Sequence, residues 1–132
     1  MTDPTPLAAR LGAEFNPAAL ARLAALDPTG ASGLVRRLFV LLVTVLEQQE
    51  ERLRDAAARL DFDAVRTSAH SLRSSSLSVG AEAFAADCQT LERAIVQGGG
   101  DPADWSARTL ALAAEAQRLR IRITAALEDL PA

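Results

Sequence analysis

His70 is the only histidine in the 132-residue chain, and the residues that follow it are cationic or small. Arg73 stands three positions on and Ser74 four positions on, spacings that place both beside the histidine on the surface of a helix. A neutral imidazole nitrogen is a nucleophile toward a phosphoryl group and afterwards a good leaving group, so it can accept phosphate and return it. Arg73 would help hold the phosphoryl oxygens through charge-assisted hydrogen bonds. The small side chain of Ser74 leaves room for a partner to approach. Leu77 falls on the same face, where an apolar side chain has no packing role, and it is read with Arg66 and Ser74 as a docking patch.

Other chemistries fit the sequence poorly. A zinc site needs three or four ligands, and there is no second histidine to supply one. Ser71 and Ser75 lack the Gly-x-Ser-x-Gly turn of a serine hydrolase, and helix neighbours cannot build an oxyanion hole. The triplet Gly98-Gly99-Gly100 is not preceded by a strand or followed by Lys-Ser or Lys-Thr, so it reads as a linker and not as a phosphate loop. Cys88 is the single cysteine; it cannot form an internal disulfide and reads as a small buried hydrophobe. With no nucleotide-binding element, the chain is not expected to phosphorylate itself from ATP.

The element that must present His70 is a helix over residues 62–79. A turn of about 100° per residue gathers Phe62, Val65, Ala69, Leu72, Ser76 and Val79 on one stripe, the core face. His70 points about 130° away from the middle of it, together with Asp63, Arg66, Arg73, Ser74 and Leu77, so its imidazole should reach solvent. Asp61 is the expected N-cap, and Asp63 lies in the first turn, where negative charge complements the helix dipole. The run Ser74-Ser75-Ser76 with Ser78 is poor for helix stability, since hydroxyls compete for backbone hydrogen bonds. Its merit is size: a neighbouring helix can approach closely on the Ser76 side and a partner on the Ser74 side. Gly80 ends or bends the helix.

The stretch Ala69-His70-Ser71-Leu72-Arg73-Ser74-Ser75, continued to Gly80-Ala81, resembles the histidine-containing phosphotransfer (HPt) domain, whose pattern runs Ala-His-x-Leu-Lys-Gly-Ser-x-x-x-x-Gly-Ala. Ala69, His70, Leu72, Ser75, Gly80 and Ala81 match. Arg73 replaces the usual Lys, keeping the charge and changing its geometry, and Ser74 replaces the usual Gly. The resemblance implies a phosphorelay protein in which His70 passes a phosphoryl group between aspartates of response-regulator receiver domains. It also implies a hybrid sensor histidine kinase as partner. No cofactor is implied on this chain, Mg²⁺ being expected on the partner receiver. The alternative of another class is a non-catalytic HPt-like interaction module that binds a receiver or kinase without carrying phosphate.

The rest of the chain reads as scaffold. Hydrophobic residues make up 49% but aromatics only 4%, with no Tyr, so the core is expected from Leu, Val and Ala in closely packed helices, an all-α chain of one domain. A net charge of −3 gives no basic footprint for nucleic acid. No signal-like segment opens the chain, and the longest apolar run, 38–46, is far short of the ~20 residues of a membrane span. A cytoplasmic monomer is expected.

Residues 1–15 read as a loose lead-in, laid along the bundle by Leu7, Leu11 and Phe15, with the domain proper over 16–130. Asn16-Pro17 starts a short helix displaying Leu20, Leu23 and Leu26, and Asp27-Pro28-Thr29-Gly30 stops it. From about Ser32 to about Leu60 one long helix is predicted, its face including Phe39, Leu42, Leu46, Leu53 and Leu60. After the histidine helix come one from Ala81 to about Gln97, with Phe84, Cys88, Leu91 and Ile95 inward, and one opened by Asp101-Pro102. That last helix displays Trp105, Leu110 or Leu112, Ala116, Leu119, Ile123 and Leu127 and ends near Pro131. The prediction is an antiparallel four-helix bundle with a short additional N-terminal helix capping one end.

Overall fold

The computed structural model describes residues 9–30 and 33–128. After a 3₁₀ turn at Gly12–Glu14 come α1 (Pro17–Ala25), α2 (Leu34–Arg59), α3 (Phe62–Ser78), α4 (Glu82–Gln97) and α5 (Pro102–Glu128). The four long helices form an all-α bundle in which α2 lies against α3 and α5, and α4 lies against α3 and α5. Contacts at both ends of the α2/α5 pair fix it as antiparallel. Arg36 donates to the Leu127 carbonyl, and Ser106 donates to the Ala57 carbonyl.

The caps are those expected from residue type. The Asn16 side chain accepts from the Ala18 amide at 2.9 Å, Asp61 from the Ala64 amide at 3.2 Å, and Asp101 from the Ala103 amide at 3.0 Å, so each satisfies an amide that the first helical turn leaves free. The start of α2 is different. Ser32 lies outside the described residues, Gly33 has no side chain to cap with, and Asp27 reaches forward to accept from the Leu34 amide at 3.2 Å. The residue expected only to stop α1 also starts α2.

Leu46, Leu53, Leu72, Cys88 and Ile123 are fully buried in the shared core, with Ala69, Ala113 and Ala116 letting the helices approach closely. Phe62 and Trp105 pack edge to face at 5.1 Å, and Phe15 and Phe39 do so at 5.8 Å. Leu11 and Phe15 are buried against the bundle; Leu7 lies outside the described residues.

Two apolar positions depart from the predicted faces. Leu26 is 72% exposed, because α1 closes at Ala25 and the chain turns away before Pro28. Leu60 is likewise exposed: it is the C-cap of α2, at φ 56°. That left-handed conformation lets the chain reverse within two residues and swings the side chain off the core face, at a cost of roughly 1–2 kcal/mol for a non-glycine residue. In α5, Leu112 is buried and Leu110 faces solvent, which settles the choice between them.

Candidate functional site

The core stripe of α3 is as predicted. Val65, Ala69, Leu72 and Ser76 are fully buried, Val79 is buried and Phe62 is partly buried. Ser76 is fully buried, and its hydroxyl has no hydrogen-bond partner among the described residues, an arrangement that costs about 1–3 kcal/mol. Close helix approach is what that serine supplies.

Anchoring this stripe turns His70 outward, and its side chain is 61% exposed. Arg66, Ser74 and Leu77 are exposed on the same side of α3, and Arg73 is half-buried. The turn after α3 is tightly built. Gly80 adopts φ 81°, and a Cβ there would meet the Ala19 Cβ at 2.7 Å. The Gly80 carbonyl accepts from the Asn16 amide at 2.9 Å, and the Asn16 side chain donates to Glu82 at 2.8 Å. Gly80 therefore does more than end α3: it is where α1 docks onto the turn that sets α4 against α3.

That packing brings residues to His70 that inspection of its own helix did not show. Glu92 of α4 accepts a hydrogen bond from His70 Nδ1 at 3.1 Å through Oε1. Its side chain is only 19% exposed, so surrounding packing holds the acceptor in place. A carboxylate oxygen accepts, so in the neutral ring Nδ1 carries the hydrogen and Nε2 keeps the lone pair, on a side chain that is mostly exposed. His70, Arg73, Gln89, Glu92, Arg93 and Val96 line one open groove between α3 and α4. Val96 is 67% exposed, a second apolar side chain on this surface besides Leu77.

A signal for Glu92 did exist in the sequence. His70 lies 11 residues before Ala81 and Glu92 lies 11 after it; in an antiparallel helical hairpin turning at Ala81, equidistant positions face each other. Arg93 and Val96 follow from the same arithmetic only when the rotation of α4 about its axis is known.

On the other side of α4 a second polar cluster joins it to α5 and the 3₁₀ turn. Glu14, Asp87, Glu115 and Arg118 meet there, flanked by Phe84 and Leu119. Burial, then a hydrogen bond with Asp87 and the charge of Asp87, push the Glu115 carboxyl up to about 7, while Arg118 pulls the other way. Cys88 lies close by, and its thiol is pushed up to about 12, by burial first and then by the charges of Glu115 and Asp87, so it stays a neutral core side chain.

Among the described residues no histidine, cysteine and carboxylate group is arranged to hold a metal ion, and no helix is long and apolar enough to cross a membrane. In comparison with known proteins, the family described as Hpt domain matches residues 37–130, nearly all of α2 and the whole of α3, α4 and α5. No curated protein and no solved structure gives a significant match.

Proposed function

The chain belongs to the Hpt domain family, which serves histidine phosphotransfer in two-component phosphorelays, and from that premise we propose that His70 is its phosphoryl-carrying residue. The observation that carries this reading is the hydrogen bond from His70 Nδ1 to Glu92, which leaves an exposed Nε2 as the nucleophile. The donor is the aspartyl phosphate of a receiver domain. The Nε2 lone pair forms a bond to phosphorus while the bond from phosphorus to the aspartate oxygen breaks, its electrons leaving with the partner's carboxylate. The ring becomes a phosphorylated imidazolium, and no proton has to depart. Its Nδ1 hydrogen stays shared with Glu92, whose negative charge offsets the new positive charge on the ring.

Transfer onward is the same step reversed, with an aspartate of a second receiver as nucleophile. Arg73 holds phosphoryl oxygens, and Arg66, Ser74 and Leu77 receive the partner, whose own acidic pocket supplies Mg²⁺. A relay between receivers, fed by a hybrid sensor kinase and working as a cytoplasmic monomer, is the setting this chemistry suits.

The test is to mix the protein with a phosphorylated receiver and follow acid-labile phosphate. His70→Gln is expected to abolish labelling and to leave the thermal midpoint within the range of a surface substitution, because the side chain it replaces is mostly solvated. Labelling retained in that variant would remove His70 from the role. A wild-type protein that binds the receiver without taking label would instead be the non-catalytic interaction module.

A further inference from the structure

We propose that Arg93, on α4, is a second phosphoryl-holding residue, closing with Arg73 of α3 as a two-sided clamp on the phosphoryl group carried by His70. The proposal rests on the reading of His70 as the phosphoryl acceptor and adds to it a residue from another helix. Arg73 and Arg93 line the same groove as the imidazole, and neither guanidinium makes a hydrogen bond or ion pair among the described residues. Several arginines elsewhere are engaged: Arg54 and Arg120 with Glu50, Arg59 with Asp55, and Arg122 with Glu14. Among the described residues lining the groove the one acid is Glu92, and it is occupied by His70. Among the described residues, two guanidiniums are thus left at the groove without a counter-ion.

The charge balance explains what they are for. Glu92 suits the imidazole before and after phosphorylation, but it repels the phosphoryl oxygens added at the far side of the same ring. A phosphoryl group on Nε2 presents three strong acceptor oxygens and a charge near −2. Guanidinium forks match such oxygens in pairs. One on each wall of the groove would hold the group from both sides and offset Glu92. Gln89, on the same wall as Glu92 and Arg93, can add a neutral amide donor.

Holding charge on the phosphoryl oxygens also has a kinetic consequence. Loss of the group to water passes through a loose, metaphosphate-like state in which those oxygens give up negative charge toward phosphorus. Cations that stabilise the charge in the ground state slow that loss, so the clamp lengthens the life of the phosphorylated protein between donor and acceptor.

The experiment uses phosphoramidate, a small donor that needs no partner protein. His70 Nε2 forms its bond to phosphorus as the phosphorus–nitrogen bond of the donor breaks and ammonia leaves. The half-life of the label and its ³¹P chemical shift are then measured for the wild type, Arg73→Ala, Arg93→Ala, Arg93→Lys and the double alanine variant. Arg93→Ala is expected to shorten the half-life about two- to fivefold, the range of an exposed ion pair, with a shifted ³¹P resonance. Arg93→Lys should recover part of the effect, and the double variant should lose most. An unchanged half-life and shift in Arg93→Ala would overturn the clamp while leaving His70 in place. The clamp is equally overturned if that variant impairs only transfer from a receiver, which would make Arg93 a docking residue. Absence of label on the wild type, from phosphoramidate and from a receiver alike, would overturn the reading of His70 and the clamp with it.

Discussion

The two polar sides of α4 place carboxylates against opposite kinds of partner. Toward α3, Glu92 faces an imidazole in an open groove with Arg73 and Arg93 at its walls. Toward α5, Asp87 faces another acid, Glu115, with Glu14 and Arg118 around them and Phe84 and Leu119 beside them. An acid beside a base at the solvent edge orients the base and leaves its other nitrogen free to react. An acid beside an acid in a partly desolvated seam holds a proton. One side of the helix carries the proposed exchange with a partner, and the other ties the bundle together in a proton-dependent way.

This contrast makes groove variants and packing variants separable. The largest stability effect is expected directly beneath the groove, where Leu72 is fully buried. Leu72→Ala should destabilise the bundle by about 2–5 kcal/mol, measured by urea unfolding, although His70 is only two residues away. A change no larger than that of an exposed residue would mean that the faces of α3 are wrongly separated.

Within the groove, Glu92→Ala should slow phosphoryl acceptance about tenfold with little loss of stability, since the ring would then rotate and divide between tautomers. Ser74→Leu should be at least as harmful, because bulk one turn beyond His70 displaces the incoming aspartate from in-line geometry; Ser74→Gly should be tolerated. Transfer rates for the three variants, measured side by side, check both points, and equal rates in Ser74→Leu and the wild type would show that partners approach over another face.

The seam gives a pH dependence of smaller size. The folded chain binds a proton at Glu115 up to a pKa of about 7, against an ordinary 4.5, so between those values it holds more protons than the unfolded chain. Stability from this group is therefore greatest at the acid end, falls as pH rises from about 4.5 to about 7, and is level above. After allowance for solvent screening of a partly exposed group, the fall is about 1 kcal/mol. Glu115→Gln should flatten it relative to the wild type when unfolding midpoints are compared at about pH 5 and about pH 7.5, without altering phosphoryl transfer. Identical pH profiles would remove the distinction between the two sides of α4.

The smallest effects belong to two exposed apolar side chains, Leu77 of α3 and Val96 in the groove. Leu77→Ala and Val96→Ala should each weaken receiver binding by about 1 kcal/mol or less, read as a change in Kd, with the half-life of an existing phosphohistidine unaffected.

Much of this architecture is local, and what is local was legible. Asn16-Pro17, Asp61 and Asp101-Pro102 announce helix starts because an N-cap needs only its own side chain and the next two or three amides. The outward face of His70 followed from the period of one helix, given that Val65, Ala69, Leu72 and Ser76 had to go inside. Leu26 and Leu60 were misplaced because periodicity assigns a face only while the helix continues, and both stand where it has just ended.

By itself, then, the sequence determined the helices, their buried stripes and the exposure of the one histidine. Spacing about Ala81 sets Glu92 opposite that histidine, but tertiary structure alone decided the contacts it makes. The hydrogen bond to Glu92, the arrival of Arg93 and Val96, the forward reach of Asp27 to α2 and the pairing of Asp87 with Glu115 all depend on how far each helix slides and rotates against its neighbour. Those degrees of freedom are set by the turn at Gly80, docked beneath α1, and by side-chain packing across the whole bundle. No single helix contains that information, because register between helices is a property of the interface they share.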